Sequence, residues 1–300
     1  MPDTLELRKP PMTAPASATA SNAAALDRNS LAQVERMAQR RIRQRHALVI
    51  GLRVLVLVVV LGGWELAGRN KWIDPFFFSM PSLIFQQIVD WFVNGTSQGP
   101  LLLQVWVTLE ETVLGFLIGA AGGVVCGVLL GRNKLLSDVF SLYIKIANSI
   151  PRVVLGSVFV IALGLGMASK VALAVVMVFF VVFGNAFQGV READRYMIAN
   201  AQILGASRRQ VTTSVVIPSA LSWILASLHV SFGFALVGAV VGEFLGSKQG
   251  IGLLISTAQG AFNASGVFAA MIVLAVVALS TDYLLSALEK RLLKWRPAAF

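Results

Sequence analysis

One cysteine, Cys126, is present in 300 residues, so neither a disulfide framework nor a thiolate metal site can be assembled within this chain. Charge is scarce as well. Asp, Glu, Lys and Arg together make up 13%, about half the share found in a soluble domain. The two histidines, His46 and His229, stand far apart, and no His, Cys and carboxylate cluster has metal-ligand spacing. No Gly-x-x-x-x-Gly-Lys-Ser/Thr loop occurs, which removes the usual phosphate cradle for ATP. His229 and Ser231 are close in sequence, but a Ser–His hydrolase also needs an oxyanion hole and a positioned nucleophile turn. No catalytic residue and no metal ligand is therefore expected. Near Met1 there is no apolar core preceded by a short basic head, so no cleavable signal peptide is expected. Arg40-Arg41 lacks the surroundings of a twin-arginine signal and reads as the basic flank of an apolar run.

What is abundant is hydrocarbon. Apolar residues reach 56% and the mean hydropathy is +0.75. Runs of about 20 apolar residues recur, each long enough for a bilayer core of about 30 Å. Six spans are predicted, at Leu48–Gly68, Val107–Gly131, Val139–Leu163, Val171–Gly189, Ile217–Leu245 and Val267–Leu288. The fifth is long for one perpendicular helix, which predicts tilt or a break near Gly233 or Gly238. With the amino terminus inside, inner segments hold eighteen basic residues, while the outer loops hold four: Arg69, Lys71, Lys170 and Lys248. By the positive-inside rule both termini face the cytoplasm. The net charge of +10 follows from topology and attraction to anionic lipid, without nucleic acid.

The fold class is thus all-α, a polytopic membrane protein with six transmembrane helices. Residues 1–46 form a separate segment. The first thirty are rich in Ala, Ser, Thr and Pro and read as disordered. Ser30–His46 has helical spacing of Leu31, Val34, Met37, Ala38 and Ile42 among five arginines, which predicts an interfacial basic helix. Residues 47–300 form the six-span domain. Between spans one and two, Leu83–Asn94 places Ile84, Ile88, Trp91 and Phe92 opposite Gln86, Gln87 and Asp90. This is an amphipathic helix at the outer interface, either an anchor or a substrate contact.

Span two carries Gly115, Gly119, Gly123, Gly127 and Gly131, one glycine every four residues. Positions four apart share a helix face, so the stripe is a groove for close approach of another helix. Ionisable groups within the membrane are functional candidates by default. Arg152 follows Pro151 in span three; its guanidinium either attracts an anion in a path or pairs with a carbonyl or an acid. Glu243 either gates a path or braces the glycine loop that follows it. His229 either borders a path or packs as a satisfied histidine, and Asp282 is equally open. Lys145 and Arg53 are expected to snorkel to the inner interface.

The stretch Ala199–Pro218, ANAQILGASRRQVTTSVVIP, is a polar basic loop between apolar segments. Gly205 lies four residues beyond Ala201; Val215, Ile217 and Pro218 follow after nine more. This spacing resembles the E-A-A-x-x-x-G-x9-I-x-L-P loop of permease subunits from binding-protein-dependent ABC importers. Further elements are similar in the same order: Thr108-Leu109 with Gly115-Phe116, Ile150-Pro151-Arg152, Gly164-Leu165-Gly166, Glu243-Phe244-Leu245-Gly246, Gly250-Ile251-Gly252 and Glu289–Trp295. Together they resemble the nitrate/sulfonate/taurine branch over residues 77–296. Two positions depart from the pattern. Ala199 stands where the loop has an acid, and Glu111 where a base usually follows Thr-Leu, which makes that outer end acidic.

The resemblance implies a pore subunit of a type I importer that hydrolyses nothing itself, with an ATPase-coupling loop near residues 191–218. Ala199, Asn200, Ala201, Leu204, Gly205, Ala206 and Ser207 would form a short helix docking into a separate ATP-binding subunit. Ile198, Ala201, Leu204 and Ile203 would supply its apolar side, and Pro218 would start span five, where its missing amide costs little. ATP and Mg would sit on that partner. A second permease copy, as a homodimer in the cytoplasmic (inner) membrane, and an extracytoplasmic substrate-binding protein complete the machine. Arg152, His229 and Glu243 are the candidate path residues. The favoured cargo is a small anion: a sulfonate, taurine, nitrate or an aromatic or organic acid. The alternative is a secondary transporter with ion coupling, which would need intramembrane acid–base pairs and no docking loop. A purely structural scaffold would leave the loop spacing as coincidence.

Overall fold

The computed structural model describes residues 16–192 and 195–292. The disorder expected for residues 1–15 and the end of the carboxy-terminal motif, Leu293–Trp295, lie outside the described residues. The chain divides into two compact units, Met1–Leu66 and Ala67–Phe300.

The first unit is the greater part of one helix, α1 (Ala16–Arg69). Disorder was expected as far as residue 30, yet the helix already runs from Ala16. The physical reason is local: six of residues 16–25 are alanine, the strongest intrinsic helix former. Low hydrophobicity argues against burial, and it does not argue against helix. From Arg41 to Arg69 the helix is long and apolar enough to cross a membrane. Its apolar side chains stay exposed, as suits a helix whose solvent is lipid and whose backbone is satisfied internally.

In the second unit, Asp74 accepts from the amide of Phe76 at 2.9 Å and starts α2 (Pro75–Phe78), with proline at the first helical position. α3 (Pro81–Val93) follows; it buries Ile84, rests Trp91 on the core and leaves Phe92 exposed. α4 (Leu101–Arg132) is the second span. The third span is not the continuous helix expected. α5 (Lys134–Ser149) and α6 (Leu155–Leu163) meet at a 72° bend. Ile150 is extended, with ψ 126°, because the residue before a proline is pushed out of helical space. Pro151 also lacks an amide to continue the ladder. α7 (Met167–Arg191) is the fourth span. Among the described residues five helices are long and apolar enough to be spans, and six when the bent pair counts as one.

After α8 (Arg195–Ile203) and α9 (Arg208–Val211) comes α10 (Ile217–Leu245), then the short α11 (Ile251–Gly260) and α12 (Ala264–Leu292). The break predicted near Gly233 or Gly238 does not occur. Gly238 instead lets the backbone of Ala174 approach, where a Cβ would sit 2.7 Å from its Cα. The irregularity lies upstream, in a π-turn at Thr212–Val216. Helix is thus continuous from Arg208, and Pro218 does not start the span. The amide of Ile217 reaches back to the Thr212 carbonyl, a widened turn next to the proline's missing bond.

The glycine stripe of α4 receives α7. Gly115, Gly119, Gly123, Gly127 and Gly131 face Ala174, Val178, Val182, Ala186 and Val190 in order, so the two helices run parallel in four-residue register. α10 crosses them antiparallel, with Gly189 against Trp223 and Gly242 against Lys170. A second apolar cluster joins Leu101, Ile251, Leu254 and Ala270 from α4, α11 and α12.

Candidate functional site

The α8–α9 loop is locked by its own sequence. Gly205 has φ +82°, the left-handed region that glycine enters without steric cost. Its amide donates to the Gln202 carbonyl at 3.0 Å, and that of Ala206 to the Ala201 carbonyl at 2.9 Å. These two bonds form a Schellman termination. Two residues on, Ser207 and Gln210 form a reciprocal capping box. The Ser207 amide donates to Gln210 Oε1 at 2.8 Å, and the Gln210 amide to Ser207 Oγ at 3.4 Å. The S-x-x-Q spacing is the local sequence signal for this box.

The apolar side expected of this helix is divided. Ile203 and Leu204 stand 82% and 86% exposed, beside exposed Tyr196 and Met197. Ile198 turns instead toward the ends of α4 and α7, and Ala201 toward Gln210 and Val215. A 100° step per residue cannot hold positions 198, 201, 203 and 204 on one narrow face. Ala199 and Asn200 are exposed and Ala206 is half-buried.

The candidate path residues find separate neighbours. The Arg152 guanidinium lies over the ring of Phe180, 5.1 Å from its centroid, a cation–π arrangement. His229 Nε2 lies 3.4 Å from Asp282 Oδ1, joining α10 to α12. Glu243 is fully buried. One carboxyl oxygen accepts from Thr108 Oγ1 and the other from the Gly252 amide, each at 2.7 Å.

Glu243 belongs to a polar layer that the sequence did not disclose. Gln104, Thr108, Glu111 and Thr112 of α4, Ser169 and Lys170 of α7, and Glu243 of α10 are all buried. The layer caps α11 from outside its own sequence. The Gly250 amide donates to Gln104 Oε1 at 2.7 Å and the Ile251 amide to Thr108 Oγ1 at 2.9 Å. Adding Glu243, three side chains from two other helices satisfy the orphan amides of one helix start, where a carboxylate also suits the dipole. Gly250, at φ +110°, and Gly252 leave room for the Glu243 carboxyl.

Two charges change place relative to expectation. Lys170, counted as an outer-loop charge, is wholly buried in the first turn of α7, and its Nζ donates to the Leu165 and Gly166 carbonyls at 2.6 and 3.0 Å. Glu111 does not make an outer surface acidic; it is 2% exposed, and its Oε2 has no hydrogen-bond partner among the described residues. Lys170, Glu111 and Glu243 act on one another electrostatically. Helical periodicity at positions 104, 108, 111, 112 and 115 was the available signal, because it sets four polar residues on the glycine face. The few acid–base pairs visible in sequence become two groups in space.

Residues 123–294 match the family described as binding-protein-dependent transport system inner membrane component. This chain belongs to that family. It is 30% identical over 254 residues to the aliphatic sulfonates transport permease protein SsuC of Bacillus subtilis, covering 85% of this chain and 90% of that one. It is 27% identical to the taurine transport system permease protein TauC of Escherichia coli, over 87% and 96% of the two chains. The formylaminopyrimidine transport permease protein ThiX of Halalkalibacterium halodurans is 27% identical, over 85% and 98%. The fold is that of ABC permeases: a solved structure of the MetNI methionine ABC transporter superposes with TM-score 0.55 at 20% identity, covering 65% of this chain and 94% of that one. The chain is therefore a type I ABC importer permease and a multi-pass membrane protein. Family membership decides for this reading over the secondary transporter, despite the buried acid–base groups.

Proposed function

We propose that this permease carries a small anion across the cytoplasmic (inner) membrane as one half of a homodimeric path, driven by ATP and Mg on a separate subunit. Eighteen basic residues on one side against Arg69, Lys71 and Lys248 on the other, with Lys170 now removed from the loops, support cytoplasmic termini. The basic segment before span one, with Arg41, Arg43 and Arg45 exposed, suits the inner leaflet. An extracytoplasmic binding protein delivers the substrate.

The observation that carries the coupling role is the locked turn at Gly205, which presents Tyr196, Met197, Ile203 and Leu204 to an apolar groove on the ATP-binding subunit. Ala199, Asn200, Ala201, Ala206 and Ser207 complete that helix and turn, and Pro218 lies in the helical rod leading from it to the membrane. ATP binding shifts the permease only through contacts that differ between its two states, and a turn fixed by two capping motifs transmits such a shift without slack. Gly205→Val is expected to lower uptake in proteoliposomes at least tenfold while ATP hydrolysis persists. Nothing lies within 4 Å of the Cβ this adds, so the effect comes from backbone strain of about 1–3 kcal/mol. Unchanged uptake would count against the docking role.

The relatives' names span a sulfonate, taurine and a pyrimidine, so family alone does not choose the cargo. Arg152 supports an anion as cargo, because a guanidinium carries a planar fork of donors that matches planar and tetrahedral oxyanions. His229 and Glu243 serve the path through the α10–α12 and α10–α11 junctions. Arg152→Ala is expected to reduce uptake of alkanesulfonates and carboxylates more than that of a neutral pyrimidine. An identical profile would remove Arg152 from the path.

A further inference from the structure

The loop carrying α8, the inner-facing ends of α4 and α7, and the start of α5 enclose an open cleft of about 970 Å³. That is the size of a site for a small organic molecule. Its walls are mostly apolar, with Leu129, Leu136, Val190 and Val216 among them, and Arg132, Asn133, Gln202 and Thr212 are its polar lining. The π-turn at Thr212–Val216 supplies one wall, and such widened turns occur often at functional sites.

Depth and charge narrow the occupant. Arg132 is the last residue of a 32-residue span. At 1.5 Å per residue that span is about 48 Å long, more than the hydrocarbon core of about 30 Å, so its final residue reaches headgroup level. The register that sets Gly131 against Val190 brings Arg191 of α7 to the same level, its guanidinium 5.5 Å from the Phe187 centroid. Arg132 makes no side-chain hydrogen bond, ion pair or ring contact among the described residues. A free inorganic anion would use only the polar groups of the cleft and leave the apolar side chains uncovered. A phosphate that carries its own hydrocarbon would match both the cation and the walls.

We propose that this cleft holds one anionic phospholipid, its acyl chain along Leu129, Leu136, Val190 and Val216 and its phosphate on Arg132. The site depends on neither the direction of transport nor the cargo. An arginine at headgroup depth gains about the attraction of one basic residue for an anionic surface.

Native mass spectrometry of the full permease released from detergent, with palmitoyl-oleoyl phosphatidylglycerol or the matching phosphatidylethanolamine added, tests the charge. Retention of phosphatidylglycerol is expected to exceed that of phosphatidylethanolamine about fivefold. Arg132→Gln should bring the two to parity, and Arg132→Lys should keep the preference. Leu136→Trp, which fills the cleft, should lower retention of both. Photo-crosslinking with a phosphatidylglycerol bearing an acyl-chain diazirine tests the place, with labelled peptides expected at residues 129–136 and 211–216. Equal retention of the two lipids by the unaltered chain, labelling spread evenly over all exposed spans, or full competition by millimolar inorganic phosphate would each overturn the proposal.

Discussion

Gly123→Leu is expected to leave almost no folded permease in detergent extracts, while Gly122→Ala, one residue away, leaves yield and melting temperature nearly unchanged. At position 123 a Cβ would lie 2.9 Å from both the Phe179 carbonyl oxygen and Val182 Cβ, and 3.0 Å from the Phe183 amide. These are backbone and branched-carbon contacts that cannot rotate away. Leucine adds three further carbons beyond that point, into the seam between two parallel helices. Overpacking of this kind costs about 1–3 kcal/mol or more, against total stabilities of about 5–15 kcal/mol. The register also repeats every four residues, so a shift that relieves position 123 misplaces Gly119 and Gly127. At Gly122 the nearest atom is 3.5 Å away, on the Phe179 ring, an ordinary contact. Size-exclusion yield and thermal unfolding of the two variants check this directly. Similar values for both would show that the stripe is not the seam of the fold.

Glu243→Leu is expected to lower stability by about 3–5 kcal/mol, the range for breaking a buried charged partnership. The substitution leaves the Gly252 amide without an acceptor and takes from Thr108 Oγ1 its carboxyl partner, although Thr108 keeps the Gln104 carbonyl at 3.1 Å. Each orphaned buried donor costs about 1–3 kcal/mol. Lys170 also loses one of its two acidic neighbours. Glu243→Gln should cost less, since one side-chain oxygen still accepts. Hydrogen exchange gives the local readout: the amides of Ile251 and Gly252 should exchange faster in Glu243→Leu, while those of α7 around Val178 keep their protection. Faster exchange throughout the chain would mean that Glu243 holds the whole bundle and not the start of α11.

Much of this permease is written in local pattern. Segments of apolar sequence gave the spans because a bilayer forbids unsatisfied backbone, and length alone then separates a crossing helix from a buried one. Glycine every fourth residue announced a close helix partner. It could not say which one, since any smooth surface fits a groove. The polar basic stretch around Gly205 announced an interruption of the apolar segments, and glycine there suits the left-handed residue at the end of α8, a local requirement. The candidate path residues were legible only as costly charges: His229 and Asp282 are 53 positions apart, and nothing in either segment names the other.

Three readings failed for one reason, that the sequence was taken one segment at a time. Lys170 looked like a loop cation because the hydropathy of its own stretch ends nearby, whereas carbonyls of the preceding turn and acids on two other helices hold it inside. Glu111 looked like an exposed acid, and the α4 face turned it toward Lys170. Gly238 looked like a breaking point, but α7 lies against it and converts a weakness into a contact.

The sequence by itself determined that this chain spans the membrane as helices, that α4 would be packed along its glycines, and that a polar basic loop around Gly205 would interrupt the apolar segments. Each of these follows from the chemistry of residues within a few turns of one another. Only the tertiary structure decided that α7 is the partner of α4, that Gln104, Thr108 and Glu243 together start α11, and that Arg132 borders an apolar cleft. Those outcomes depend on which helix faces which, and buried polar groups and helix registers choose their partners across distances that local sequence does not encode.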